Sequence, residues 1–134
     1  MQYIPLIGRI LYASLFVLSG INHFTQLQSL SRYAASMGVP ASTWAVIVTG
    51  LMILLGGLSI LLGYRVKIGA VLLSVFLVMT AFMMHPFWAM EEPLQAQAQM
   101  AHFMKNLSLA GAALIVFYFG SGPLSLEKSA AKNG

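Results

Sequence analysis

Apolar residues fill four stretches of this chain almost without a break: about Ile4 to Phe24, Thr43 to Leu62, Val66 to His85, and Phe103 to Phe119. Each is near the length of roughly 20 residues at which an α-helix crosses the hydrocarbon of a bilayer. Polar segments separate them. These are TQLQSLSRYAASMGVPAS after the first stretch, the short GYR after the second and PFWAMEEPLQAQAQMAH after the third. Gly120, Gly122 and Pro123 stop the fourth, since glycine ends helices and proline cannot continue them.

The first polar segment has a period of its own. Leu27, Leu30, Ala34 and Met37 recur at helical spacing, with Gln28, Ser31 and Arg32 off the stripe. The pattern predicts a short helix lying at the membrane interface, ended by Gly38 and Pro40, with Ser42 or Thr43 capping the next helix. The expected fold is all-α. It is a four-helix transmembrane bundle with a short interfacial helix after the first transmembrane helix, over residues 1–124, followed by a short tail over 125–134.

Composition agrees with the pattern. Of 134 residues, 59% are hydrophobic and 7% charged, where soluble domains carry about a quarter. With mean hydropathy +0.84, the chain has too few charges to cover a water-facing surface. It has no cysteine, which excludes thiol–disulfide chemistry, a cysteine nucleophile and a cysteine-ligated iron–sulfur cluster. The formal net charge of +4 is not gathered into a basic patch with interleaved aromatics, so nucleic acid is not an expected partner. The first stretch carries Arg9 near its start and ends in Asn22-His23 without a small-x-small cleavage site. It reads as a retained transmembrane helix and not as a signal peptide.

Charge also predicts orientation. Four crossings put both termini on one side, with Arg9, Arg65, Lys67, Lys128 and Lys132; Arg32 and Lys105 fall on the other. Basic residues mark the cytoplasmic side, so both termini are expected in the cytoplasm.

In this topology the polar residues converge at the outer face. His23 ends the first helix, His85 ends the third and His102 begins the fourth, so all three histidines are expected at one depth. Asn22, Trp88, Glu91, Glu92, Lys105 and Asn106 lie there too. His102, Lys105 and Asn106 share one helical face and can start the fourth helix at the interface. Glu91 and Glu92 read as a solvated loop pair, one of them within reach of Lys105. The candidate ligand-binding cluster is Asn22, His23, His85, Trp88, His102, Lys105 and Asn106. No HxxxH or HxxEH spacing supports a metal, and none is expected.

Arg9, Tyr12, Phe16, Ser19 and His23 form a stripe on the first helix that should face the bundle, because a charge facing lipid costs roughly 2.5–3.5 kcal/mol on insertion scales. Arg9, roughly 20 Å below His23, is expected to snorkel to cytoplasmic headgroups. Gly50, Gly56 and Gly57 on the second transmembrane helix, and Ala110 to Ala113 on the fourth, are packing residues.

At these residues the sequence resembles the DoxX family of small four-helix membrane proteins. The resemblance rests on GRILYASLFVLSGINHF, RYAASMGVP, LGGLSILLGYRVKIGAVLLS, TAFMMHPFW, HFMKNLSLAGAALIV and GSGPLSLEK. Two positions depart from the family pattern. Many relatives carry lysine where this chain has His23, and glutamate in the second helix where it has Ile53. The resemblance implies a multi-pass protein of a bacterial-type inner membrane, associated with redox assemblies that deliver electrons to quinone.

Three functions follow as expectations. The first is a membrane subunit of a redox system, holding a quinone or similar headgroup at the outer cluster and not catalytic alone. It has no covalent cofactor and takes electrons from a protein partner. In it, His102 and Lys105 bond a quinone oxygen, His23 or His85 relays a proton, Asn22 and Asn106 orient the headgroup, and Trp88 stacks on it. The second is a non-catalytic scaffold or assembly factor, acting through a partner or a homodimer. The third is transport, ranked last because the midplane offers only Ser and Thr residues where transporters build polar paths.

Overall fold

The computed structural model describes residues 1–127, and among these the chain is helical with no strand. Helix α1 spans Tyr3–Thr25, α2 Leu27–Ser36, α3 Ser42–Leu62, α4 Val66–Met84 and α5 Pro93–Phe119; a single 3₁₀ turn, Phe87–Ala89, links α4 to α5. The four long helices, α1, α3, α4 and α5, are each apolar enough to cross a membrane. The expected four-helix bundle with an added short helix is therefore the architecture. Lys128 and Lys132, used above for orientation, lie outside the described residues.

The helices run antiparallel in sequence. α1 packs on α3, α3 on α4 and α4 on α5, while α2 lies on α3. The pairing of Phe16 with Gly57, Gly20 with Leu54 and His23 with Gly50 fixes the antiparallel register of α1 and α3. A row of small residues makes this possible. A Cβ at Gly20 would lie 2.8 Å from the Cβ of Leu54, and one at Gly50 2.8 Å from that of His23. Lipid tails are as apolar as leucine, so helices in a membrane associate through such close packing. The core is Ala13, Phe16, Ile53, Ile60, Leu73, Leu77 and Ala110. Tyr12 ties α1 to α5, its hydroxyl donating to the Leu109 carbonyl at 2.7 Å.

The end of the bundle that holds Tyr3 and Phe119 is called proximal here, and the opposite end distal. At the proximal end α3 stops at Gly63, whose φ of +64° places it in the left-handed region. The Tyr64 amide then bonds the Ser59 carbonyl at 3.0 Å, closing the helix end. The C-terminal segment folds back over this turn: Leu126 N–H bonds the Leu62 carbonyl at 3.0 Å and Glu127 N–H the Gly63 carbonyl at 2.8 Å.

The structure corrects three expectations. Arg9 does not snorkel; it is 5% exposed, and its Nη2 donates to the Leu124 carbonyl at 2.5 Å. The returning C-terminal segment covers it, and backbone carbonyls of that segment replace headgroup contacts. Its guanidinium also lies against Gly63, at the C-terminal and hence negative end of the α3 dipole. Neither Ser42 nor Thr43 caps α3. The cap position is Ala41, in a left-handed conformation, so both hydroxyl residues already lie inside the first turn. Finally, α5 starts at Pro93, ten residues before the apolar run. Glu92 caps it, accepting from the backbone of Leu94 at 3.2 Å and Gln95 at 2.9 Å, with proline at the first helical position.

That last correction moves His102, Lys105 and Asn106 into the helix interior, where none of them starts it. At 27 residues α5 is about 40 Å long, more than the roughly 30 Å of hydrocarbon, so its Gln-rich first turns can extend past the membrane. Glu92→Ala should cost about 1 kcal/mol. It should also speed amide exchange in the first turn of α5, leaving exchange in α3 unchanged; equal protection in both proteins would show that the cap is not used.

Candidate functional site

A cavity of about 420 Å³ opens at the distal end between α1, α2, α3 and α4. Helix α2 forms one wall with Leu30, Tyr33 and Ala34, followed by Val39 and Pro40. Ala45, Val46 and Thr49 come from the first turns of α3. Phe76, Met79, Thr80, Met83 and Met84 come from the last turns of α4, followed by His85. His23 closes the α1 side.

Local packing explains why these side chains meet. Gly50 lets the α3 backbone approach His23, whose ring stands edge-on to Phe76 with centroids 6.2 Å apart. Gly38, with φ +81°, turns the chain out of α2 and lets that helix fold back onto α3. Phe76, Thr80, Met83 and Met84 recur at helical spacing and face the same gap.

The seven residues of the expected polar cluster separate into groups. His23 and His85 line the cavity; Asn22, Trp88, His102, Lys105 and Asn106 do not. His85 joins His102, the rings stacking at 5.1 Å between centroids and 25° between planes, and its Nδ1 lies 2.7 Å from Oε1 of Gln99. Trp88 sits in an aromatic cluster with Phe82, Phe87 and Phe103, centroids 5.2–6.1 Å away. Asn106 is 5% exposed. Asn22 and Lys105 are exposed, and the Glu92 carboxylate is engaged by the helix cap. Among the described residues no group of three or more His, Cys, Asp or Glu is placed to hold a metal ion.

Most of the cavity wall carries no mark in the polar pattern of the sequence. Leu30 and Ala34 read there only as an interfacial stripe, and the methionines as ordinary span residues. The available signal is the run of Met79, Met83, Met84 and His85 at the end of one helix, flexible thioethers being well suited to an adaptable apolar wall.

The family model that matches this chain is DoxX, over residues 4–86. The chain belongs to the DoxX family. It is 31% identical to the inner membrane protein YphA of Escherichia coli (strain K12) over 123 residues, covering 92% of this chain and 87% of that protein. It is 30% identical to the inner membrane protein YqjF of the same organism, over 92% of this chain and 88% of that one. No solved structure matches it significantly. With its four apolar helices, this DoxX protein is a multi-pass inner membrane protein. Every cavity-lining residue, from His23 to His85, lies inside the stretch that matches the DoxX model, whereas His102, Lys105 and Asn106 lie beyond it. Ile53, the departure noted above, is 0% exposed in the central core, where a carboxylate would have to be neutralised or paired.

Proposed function

We propose that this protein is a membrane subunit of a redox system and holds a quinone in the distal cavity. The observation that carries the reading is the cavity itself. At about 420 Å³ it falls in the range of ligand sites, and it is an apolar pocket with a few polar groups, His23, His85, Thr49 and Thr80, at its wall. An isoprenoid-tailed ring matches that division between apolar body and polar head. Family resemblance adds the redox context. The chain has no cysteine to carry thiol redox chemistry, and in this reading the electrons come from a partner protein. In this reading both termini face the cytoplasm, as the excess of basic residues at the proximal end favours, and the cavity lies in the outer half of the bilayer.

Blocking the cavity tests this. Ala45→Trp places a large ring inside it, whereas Lys105→Ala changes an exposed position outside it. Mass spectrometry of extracted lipids should find near-stoichiometric quinone with the native protein and with Lys105→Ala. It should find at least about tenfold less with a folded Ala45→Trp. Equal trace amounts in all three would sink the quinone reading and leave the scaffold or assembly role.

A further inference from the structure

We infer that the cavity selects the reduced, hydroxyl-bearing form of a quinone over the oxidised dione; this rests on the reading of the cavity as a quinone site. The preference follows from where the hydrogens are. Nδ1 of His23 lies 2.7 Å from the Ser19 carbonyl oxygen. That oxygen can only accept, so Nδ1 carries a hydrogen and donates it. In the neutral ring the remaining nitrogen, Nε2, is then an acceptor.

His85 repeats the arrangement. Its Nδ1 donates to Oε1 of Gln99 at 2.7 Å, and its Nε2 is left as an acceptor. Thr49 has one hydroxyl hydrogen, and it is used by the Ala45 carbonyl at 2.7 Å. The Thr49 oxygen offers lone pairs to anything else. The hydroxyls of Thr80 and Tyr33 can turn either way. No lysine or arginine lines the cavity.

The polar wall is therefore rich in acceptors. The oxidised headgroup presents carbonyl oxygens, which are acceptors as well; only the Thr80 and Tyr33 hydroxyls can donate to them, and a carbonyl facing Nε2 of His23 leaves both acceptors unpaired in an apolar site. The reduced headgroup presents O–H donors, which the acceptor nitrogen of a cavity-lining histidine such as His23 matches. A site that binds the reduced form more tightly also raises the potential of the bound pair, by about 30 mV for each tenfold preference in a two-electron couple.

The test uses the native protein in nanodiscs under anaerobic conditions. A short-tailed benzoquinone and its chemically reduced quinol are titrated separately by calorimetry. The quinol should bind about tenfold or more tightly than the quinone. His23→Gln, checked for native melting, supplies an amide N–H₂ donor and should shift the preference toward the oxidised form. Lys105→Ala should keep the native preference. Equal affinities, or tighter binding of the dione, would overturn the donor-matching inference and leave the quinone site standing. Binding of neither form would remove the quinone reading and this inference with it.

Discussion

Gly63→Ala is expected to destabilise the protein by about 2–4 kcal/mol and to release the C-terminal segment from the end of α3. Two effects combine. Gly63 has φ +64°, where a side chain crowds its own backbone at a cost of roughly 1–2 kcal/mol. A Cβ there would also overlap Nη1 of Arg9 and the Cβ of Ser125. Arg9 is buried and held by the Leu124 carbonyl, so it has no open side into which to retreat. The segment that yields is the C-terminal one, and with it go the bonds from Leu126 to Leu62 and from Glu127 to Gly63.

Two other glycines separate those effects. Gly38 has φ +81°, and a Cβ added there would meet nothing within 4 Å, so Gly38→Ala should show the backbone cost alone. Gly111 lies inside α5 with an ordinary φ and open space, so Gly111→Ala should be neutral or stabilising by about 0.4–1 kcal/mol. Thermal unfolding in mild detergent should rank the variants Gly63→Ala, Gly38→Ala, Gly111→Ala from lowest to highest. Amide exchange at Leu126 and Glu127 should accelerate in the first alone. Equal melting of Gly63→Ala and Gly38→Ala would show that Arg9 and Ser125 do not pack against Gly63.

What the sequence revealed and what it hid follow from the kind of signal each feature leaves. The spans of α1, α3 and α4 were legible to within a residue or two because a bilayer demands long uninterrupted apolar runs. Helix α2 was legible because Leu27, Leu30 and Ala34 keep a helical period. The start of α5 was hidden because LQAQAQMAH is not apolar. Its helical signals were of another kind: the good helix formers Ala, Gln, Leu and Met, and proline at the first turn behind the capping Glu92. Arg9 was misplaced because its partners are backbone carbonyls of Pro123 and Leu124, more than a hundred residues away, and backbone leaves no mark in composition. The cavity was hidden for a related reason. Polar residues stand out in so apolar a chain, and His102 and Lys105 therefore dominate its sequence. The wall is mostly Leu, Val, Ala, Phe and Met, which look like any other membrane-spanning residues until the helices are assembled.

The α3–α4 seam should be the least forgiving place in the molecule, and Gly69→Val should remove most of the folded protein. A Cβ at Gly69 would lie 2.5 Å from Oγ of Ser59, 2.7 Å from its Cβ and 3.0 Å from the carbonyl oxygen of Gly56. The last of these is backbone in mid-helix and cannot turn aside. Across the seam, a Cβ at Gly56 would meet the Gly69 carbonyl at 3.1 Å, so neither helix has slack. Ser59 is fixed as well, since its hydroxyl donates to the Tyr64 carbonyl at 2.6 Å. The only relief is for α3 and α4 to separate, which opens the core that holds Ile60 and Leu73. In lipid no hydrophobic force pushes them back together. Gly69→Ala should already cost about 1–3 kcal/mol, and valine more. The Gly69→Ala, Ser59→Ala double variant should recover only part, because the Gly56 carbonyl and the alanine Cβ remain. The effect should reach the distal end too: α4 carries Phe76, Met79, Thr80 and Met83 into the cavity, so under the proposed quinone reading any folded Gly69→Ala protein should hold less quinone than the native one. Native yield, melting and quinone content in Gly69→Val would mean that the two helices do not approach closely at this pair, and the glycine seam could not be what positions the α4 wall of the site.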